Sequence, residues 1–207
     1  MSSRIQSVSA GSSPDATVNG ILDFSQKGFG DTQMFGLLAR RPELLKRMAP
    51  IYAYFLAGDG SLIEPQLIEL MRLRGAHLNA CTYCATVRLQ PIAAEIKPKE
   101  DAVGVTDISH MTKADAIAAL RDRLDTNAFT PREAAALNLV DRIIVDPHTV
   151  DDALFAELRH HFSDDEIVEL IVASSYFTLS GTLNIAVRLE TGEDSIYGQQ
   201  CAYATAG

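Results

Sequence analysis

The chain has 207 residues, which is long enough to bury a hydrophobic core and fits one large domain or two small ones. Apolar residues make up 47% of it and charged residues 22%, an ordinary composition for a globular protein. The formal net charge of −9 argues against nucleic acid and anionic membrane surfaces as partners, because both bind clustered Lys and Arg. The charge does not select a substrate, since one or two buried arginines suffice to hold an anion.

The termini and the hydropathy favour a cytoplasmic location. No apolar run reaches the ~20 residues that a membrane helix needs, and the Ser- and Gly-rich start lacks the apolar segment of a secretory signal. We predict a mobile leader over residues 1–20 and a single helical domain over residues 21–207. Three cysteines, two of them in a C-x-x-C pair, make no disulfide framework, and in a reducing cytosol such a pair indicates redox or metal chemistry.

Helical signals dominate the chain from Pro42 onward. Apolar residues recur at the spacing of about 3.6 that is typical of helices, in segments at 44–55, 67–73, 134–144, 154–158 and from 167 onward. Strand signals are nearly absent, so we predict an all-α fold. Four capping boxes, each a Ser or Thr followed three residues later by an acid, predict helix starts. They are Ser61 with Glu64, Thr112 with Asp115, Thr130 with Glu133, and Ser163 with Glu166.

An internal repeat relates two parts of the chain at an offset of 100 positions. Residues 61–89 align with residues 161–189, and both segments share a Glu-Leu pair and end in Val-Arg-Leu. We predict a duplicated helix pair, with halves at about 40–98 and 112–190. The cysteines are not repeated, which indicates that the first half carries chemistry and the second supplies structure.

The segment of residues 62–90 carries the candidate site. We predict that its first helix ends near residues 75–77 and that Asn79 caps a second helix. Cys81 then lies in the first turn and Cys84 one turn later on the same face, where the helix dipole and free N–H groups favour thiolate. Two such thiols can form a disulfide and support thiol–disulfide exchange or peroxide reduction.

Three further residues are candidates with structural alternatives. Arg88 follows Cys84 by four positions and would add a cation that favours thiolate, although its recurrence as Arg188 fits an ion pair equally well. Glu69 recurs as Glu169 and could serve helix pairing alone. His77 precedes the cysteines, but a helix break is expected between them.

The cysteine pair itself also has other interpretations. It could consist of two buried, inert small residues. Zinc would need two more ligands. His77 is the only nearby candidate, since Cys201 lies in a polar tail, and we expect no metal and no cofactor. Tyr83, between the cysteines, is expected to pack or to line the rim of a pocket.

At these residues the sequence resembles the alkylhydroperoxidase D-like and carboxymuconolactone decarboxylase-like superfamily. The thiol motif of that family is a Glu, eleven residues, C-x-x-C, three residues and a His, and Glu69 stands at that distance from Cys81 and Cys84. The resemblance covers about residues 40–190. It implies an all-helical fold that assembles as trimers or hexamers. It also implies that Cys84 is the thiol assisted by a proton relay, Cys81 its disulfide partner and Glu69 the distal relay member.

This sequence departs from the family motif at the last position, where Arg88 replaces the His. An imidazole takes and returns a proton near neutral pH, whereas a guanidinium stays protonated. Arg88 can stabilise a thiolate or bind a substrate carboxylate, but it cannot act as a general base. Either Glu69 or His77 moves the proton, or the reaction is a different one.

The leading hypothesis is a thiol-dependent peroxidase or disulfide reductase, an oxidoreductase of the peroxiredoxin type. One thiol of Cys81 and Cys84 would attack and the other would resolve, with Arg88 stabilising the thiolate and Glu69 handling protons. The second hypothesis is a non-redox decarboxylase, isomerase or lyase on the same scaffold. There Arg88 would bind the carboxylate of a small organic acid, and His77 or Glu69 would move protons. The third is a helical oligomer with inert, buried cysteines.

The expected partners follow from these hypotheses. We expect a small-molecule substrate, either a peroxide or a small organic acid, and for the redox reaction a thiol reductant protein. We expect a homo-oligomer, a trimer or hexamer by the resemblance, and neither nucleic acid nor a membrane as a partner.

Overall fold

The computed structural model describes residues 3–58, 60–103 and 127–197. These residues form helices and contain no strand, which confirms the prediction of an all-α fold. The helices are α1 (Ala16–Phe29), α2 (Gln33–Leu38), α3 (Pro42–Leu56), α4 (Pro65–Leu78), α5 (Thr82–Thr86), α6 (Ala93–Val103), α7 (Pro131–Val145), α8 (Asp152–Arg159) and α9 (Asp164–Val187). Short 3-10 turns lie at Gln90–Ile92 and Pro147–Thr149.

Helix α4 lies at the centre of the fold. It packs against α7 and α9, which also pack against each other, and its residues 67–76 are all buried. A helix that is buried on all sides is a core helix, and any charge on it needs a partner inside the protein. Arg74 meets this requirement with a two-pronged ion pair to Asp141 of α7.

Two of the predicted capping boxes are confirmed. The Thr130 box begins α7 and the Ser163 box begins α9, each with both of its reciprocal hydrogen bonds. The prediction for Ser61 is wrong, because α4 begins at Pro65 without a side-chain cap. Ser61 Oγ instead donates to the carboxylate of Glu169 at 2.8 Å. The predicted box at Thr112 and Asp115 lies outside the described residues.

Part of the predicted leader is helical. Helix α1 begins at Ala16, where the carboxylate of Asp15 accepts the N–H of Thr17 at 2.9 Å. The preceding segment bonds to the body of the fold, since the Val8 N–H donates to the Gly36 carbonyl at 2.9 Å. A Cβ on Gly36 would lie 2.5 Å from the Val8 carbonyl oxygen, so this approach requires glycine. The mobility of residues 1–20 stays a prediction.

The two copies of the internal repeat differ in their course. The first copy forms α4, a break at residues 79–81 and α5, whereas the second forms the single 24-residue helix α9. Among the described residues, only α9 is long and apolar enough to cross a membrane, and 44% of its apolar window is buried inside the protein. Its packing against α4 and α7 accounts for the buried part of this apolar window, because a core helix has the same composition.

Ser163→Ala is expected to lower the free energy of unfolding by about 1 kcal/mol, because it removes the hydroxyl half of the capping box. Denaturant titration measures this difference. Ser175→Ala on the exposed face of the same helix is the control, since Ser175 Oγ bonds the Ile171 carbonyl within the helix. Alanine favours helix, so the control should unfold at an equal or slightly higher denaturant concentration. Equal losses in the two variants would contradict the prediction.

Candidate functional site

A sharp turn between α4 and α5 positions the cysteines. Helix α4 ends with Asn79 as its C-terminal cap, and Ala80 turns the chain with a left-handed φ of 53°. Cys81 is the N-terminal cap of α5, and its sulfur accepts the N–H of Cys84 at 3.4 Å. The prediction that Asn79 caps the second helix is therefore wrong, and the cysteine itself takes that place.

Cys81 and Cys84 are joined by a disulfide, with their Cα atoms 5.3 Å apart. The prediction that this spacing brings the two sulfurs within bonding reach is confirmed. Their surroundings differ, because Cys81 is 1% exposed whereas Cys84 is half-buried and lines a cavity. A reagent in the cavity therefore meets the sulfur of Cys84 first.

A buried ion pair on α4 holds the segment that follows Cys84. The Arg72 guanidinium donates to both carboxylate oxygens of the fully buried Glu69, at 2.6 and 2.7 Å. Arg72 also donates to the backbone carbonyls of Cys84 (2.7 Å) and Val87 (2.6 Å). Glu69 in turn accepts the N–H of Leu89 at 2.9 Å. The pair thus attaches the backbone of residues 84–89 to α4.

Arg72 is a fixed cation in the wall of the cavity. Burial opposes its charge, but the carboxylate of Glu69 outweighs burial and raises the pKa of the guanidinium above its ordinary value. The sequence analysis did not single out this residue. The available signal was an acid and an arginine three residues apart on a helix with no polar face, which indicates an internal pair.

Arg88 is not among the described residues that line the cavity at Cys84. Helix α5 ends at Thr86, so the prediction of one continuous helical face from Cys84 to Arg88 is wrong. The Arg88 Nε donates to Glu100 at 2.9 Å, and Nη1 donates to the Ala85 carbonyl. Burial would raise the pKa of Glu100, but hydrogen bonds from Lys97 and Arg88 lower it below the ordinary value. Arg88 and Glu100 line a separate open cleft, beside Gln90 and Tyr197.

Glu69 and His77 do not contribute directly to the cavity wall at Cys84. Neither is among the described residues that line the cavity at Cys84. Glu69 reaches this region through Arg72, whereas His77 is half-buried in the last turn of α4. Of the five residues that the sequence analysis selected, the structure thus brings Cys81, Cys84 and, indirectly, Glu69 to one place.

The cavity at Cys84 is small and mostly apolar. Its volume is about 50 Å³, which is room for a few water-sized groups, since a water needs roughly 10–15 Å³ of such space. Its apolar walls are the rings and thioether of Phe29, Met34, Phe35, Tyr52 and Phe177. Its polar side chains include Ser25, Arg72, Asn79, Ser180 and Asn184.

Tyr83 joins the cysteine segment to the N-terminal part of the fold. Its hydroxyl donates to the buried carboxylate of Asp31 at 2.7 Å and accepts the N–H of Met34 at 3.2 Å. Burial, and then the carboxylate of Asp31, raise the pKa of Tyr83 well above its ordinary value. Its ring lines the cavity, which confirms the expectation that it packs or lines a pocket. Asp31 also accepts the N–H of Gly192 at 2.9 Å, so one carboxylate links α5 to the C-terminal segment.

The second copy of the repeat contributes to the same cavity. Gly181 and Asn184, the repeat counterparts of Cys81 and Cys84, both line it. Asn184 Nδ2 lies 3.4 Å from the sulfur of Cys84 and donates to it. The sequence analysis assigned this half a structural part and missed Asn184, although its register opposite Cys84 was visible in the repeat.

The helical fold of this chain is shared with solved structures. It superposes on an uncharacterized peroxidase-related protein from Ralstonia eutropha JMP134, described as an alkylhydroperoxidase AhpD core, with a TM-score of 0.66 and 19% identity over 93% of both chains. It superposes on a variant of the debrominase Bmp8 in complex with 2,3,4-tribromopyrrole with a TM-score of 0.65 and 14% identity over 94% of both chains.

Sequence comparison adds one relative. The chain is 24% identical over 140 residues to the uncharacterized protein YnjA of Escherichia coli (strain K12), and the alignment covers 68% of this chain and 69% of that protein. No family model matches the chain. The chain has the AhpD-like helical fold, and the resemblance that its sequence predicts is confirmed at the level of the fold.

Glu69→Gln is expected to lower the free energy of unfolding by about 3–5 kcal/mol, because it leaves the Arg72 charge buried without its counter-ion. Denaturant titration measures the change. Glu43→Gln is the matched control, since Glu43 also pairs with a cation three residues later but is 73% exposed. Solvent screens that exposed pair, so its loss should leave the midpoint of unfolding nearly unchanged. A Glu69→Gln protein as stable as the control would contradict the structural role of the buried pair.

Proposed function

We propose that the chain is a dithiol-dependent peroxidase, with reduction of small disulfides as a related activity of the same site. The observation that carries this proposal is the different exposure of the two bonded sulfurs. Cys84 faces a small cavity beside a fixed cation, and Cys81 is buried behind it. This is the arrangement expected of an attacking thiol and a resolving thiol.

The reaction uses both thiols of the reduced protein. The Cys84 thiolate attacks the terminal oxygen of a hydroperoxide, so that an S–O bond forms and the O–O bond breaks. The alkoxide that leaves takes up the proton lost by Cys84 and becomes an alcohol. The Cys81 thiol then attacks the sulfenic sulfur of Cys84, the disulfide forms, and its hydrogen leaves with the hydroxyl as water. An external thiol reductant, either a small dithiol or a protein, returns both cysteines to thiols.

The charge of Arg72 supports the first step. A guanidinium in the cavity wall favours the thiolate form of Cys84 over the thiol. Arg72 keeps its proton, so it cannot serve as a base, and Glu69 serves to hold the charge of Arg72 in place. In this proposal Arg72 takes the thiolate-stabilising part that the sequence analysis gave to Arg88.

The size of the cavity bears on the substrate. A volume of about 50 Å³ suits hydrogen peroxide or the reactive end of a small alkyl hydroperoxide. The mostly apolar walls favour a substrate with an apolar body. The carboxylate-binding alternative has less support, because Arg72 is occupied by Glu69 and two carbonyls and Arg88 lies outside the cavity.

Assembly and location are part of the same proposal. Exposed apolar side chains form a stripe along α9, at Val168 (59% exposed), Val172 (48%) and Leu179 (51%). Burial of such a stripe against a second copy would stabilise a homo-oligomer, in line with the trimers or hexamers that the resemblance implies. A cytoplasmic location, where thiol reductants are available, fits the redox reaction.

Reductive dehalogenation of a small aromatic compound is a second candidate. Its support is the aromatic lining of the cavity and the likeness to the debrominase Bmp8. In such a reaction the two thiols are oxidised to the disulfide, a carbon–hydrogen bond replaces the carbon–bromine bond, and bromide leaves. The present volume is small for a halogenated ring, so the peroxidase reaction is the stronger candidate.

Cys84→Ser is expected to abolish consumption of an alkyl hydroperoxide, whereas Cys81→Ser is expected to react once per chain and stop at the sulfenic acid. The reason is that, of the two bonded cysteines, Cys84 faces the cavity, and its sulfenic acid needs a second thiol to resolve it. Dithiothreitol serves as the reductant for turnover by the wild type. It is removed before the single reaction of Cys81→Ser is measured, because it would itself reduce the sulfenic acid, and mass spectrometry detects the added oxygen. All variants carry Cys201→Ser, so that the third thiol does not contribute.

The alternatives give different results in the same assays. Activity on a small organic acid that survives removal of both cysteines would support the non-redox enzyme. Bromide release from a brominated pyrrole, without peroxide turnover, would support dehalogenation. Thiols that react only after denaturation would support the inert helical protein.

Arg88→His is expected to keep hydroperoxide turnover near that of the wild type. The Arg88 side chain pairs with Glu100 in a separate cleft and is not among the described residues lining the cavity. Steady-state peroxide consumption measures the effect. Abolished turnover in a folded Arg88→His protein would mean that Arg88 acts on the reaction, as the sequence analysis proposed.

A further inference from the structure

Asn184 is a buried amide in contact with the reactive sulfur. The residue lies on α9, is 1% exposed and donates from Nδ2 to Cys84 Sγ at 3.4 Å. The same side chain forms part of the cavity wall. One amide therefore touches both the sulfur and the space that a substrate would occupy.

The Oδ1 atom of Asn184 is buried and has no hydrogen-bond partner within the described part of the chain. Such an acceptor destabilises the protein if it stays unpaired, and native proteins leave few of them. Turning the amide over would set its oxygen against a thiolate, which is itself an acceptor. The observed orientation therefore suits the reduced protein and leaves Oδ1 able to accept a hydrogen bond from a molecule in the cavity.

We infer that Asn184 is a further catalytic residue, which holds the Cys84 thiolate through Nδ2–H and receives the O–H of a hydroperoxide at Oδ1. This inference rests on the proposed function. An acceptor at Oδ1 selects substrates that carry a hydrogen-bond donor on the atom under attack. A hydroperoxide has such a donor, and a simple disulfide does not. The amide takes up no proton in the step, and orients the terminal oxygen toward the sulfur while the O–O bond breaks.

The position of Asn184 in the chain agrees with this role. It stands opposite Cys84 in the internal repeat, and Gly181 stands opposite Cys81. A Cβ on Gly181 would have Asn79 Nδ2 as its nearest neighbour, at 4.0 Å, so glycine keeps this wall open. The second copy of the repeat thus provides space and an amide where the first provides thiols.

Two readouts on the reduced protein test the two halves of the inference. The first is alkylation of Cys84 by monobromobimane across a range of pH, which reports thiolate formation with a reagent that donates no hydrogen bond. The second is the rate of reaction with a small alkyl hydroperoxide at a pH where the thiol is fully ionised. Both are measured in Asn184→Leu and Asn184→Asp, on the Cys201→Ser background.

Asn184→Leu is expected to raise the pH midpoint of alkylation by about one unit, because the thiolate loses its N–H donor. Its hydroperoxide rate at full ionisation should also fall, by about tenfold, because the acceptor is gone. Asn184→Asp is expected to raise the midpoint as well, since a carboxylate repels the thiolate. It should keep the hydroperoxide rate at full ionisation, since an acceptor oxygen remains.

Asn138→Leu is the matched control, because Asn138 is a half-buried amide on α7 that is not among the described residues lining the cavity. Unchanged midpoints in both Asn184 variants would overturn the thiolate contact, and so would an equal shift in the control. An unchanged full-ionisation rate in Asn184→Leu would overturn the substrate contact. Asn184→Ala replaces the leucine variant if that protein does not fold.

The outcome also separates this inference from the proposed function. A wild-type protein that is alkylated at Cys84 but does not react with hydroperoxide would refute the proposed function. The alkylation midpoints would still decide whether Asn184 holds the thiolate.

Discussion

The site depends on the buried ion pair between Glu69 and Arg72. Both residues lie on a helix surrounded by protein, where an unpaired charge would be costly. The pair satisfies its remaining hydrogen-bonding capacity with the backbone of Cys84, Val87 and Leu89. The residues that pair these buried charges therefore also hold the chain in its course after the cysteines. Loss of Arg72 would remove the cation from the cavity wall, and loss of Glu69 would leave that cation buried without its counter-ion.

This pair changes how the thiol chemistry is supported. The family motif ends in a His that can carry a proton, and this chain has Arg88 there, occupied by Glu100. The cation that shares the cavity wall with Cys84 is Arg72, which also keeps its proton. In the proposed reaction the protein therefore assists by electrostatic stabilisation of the thiolate, and the proton lost by Cys84 ends on the leaving alkoxide. In this proposal Arg72 and Asn184 stabilise the thiolate of Cys84, and Asn184 also orients the substrate.

The internal repeat explains how one small cavity receives groups from distant parts of the chain. Helix α9 packs against α4, so the second copy of the repeat faces the first. Cys84 and Asn184, which share a register in the two copies, meet at 3.4 Å. The two copies now differ in backbone as well as in side chains, because the first is broken at residues 79–81 and the second is one helix. That break makes Cys81 a helix cap and turns Cys84 toward the cavity.

Three features were predictable from the residues alone: the helical class, the starts of α7 and α9 at Thr130 and Ser163, and the bonding reach of the two cysteines. These features are local, since capping and the spacing of three positions depend on residues within one turn. The partners of side chains that bond across separate elements depend on how the chain packs. Ser61 bonds Glu169 in place of a cap, Arg88 bonds Glu100, and Asn184 bonds Cys84. Each of these contacts joins two separate elements of the fold. The packing of whole helices brings the partners together, and the local spacing of residues does not encode that packing.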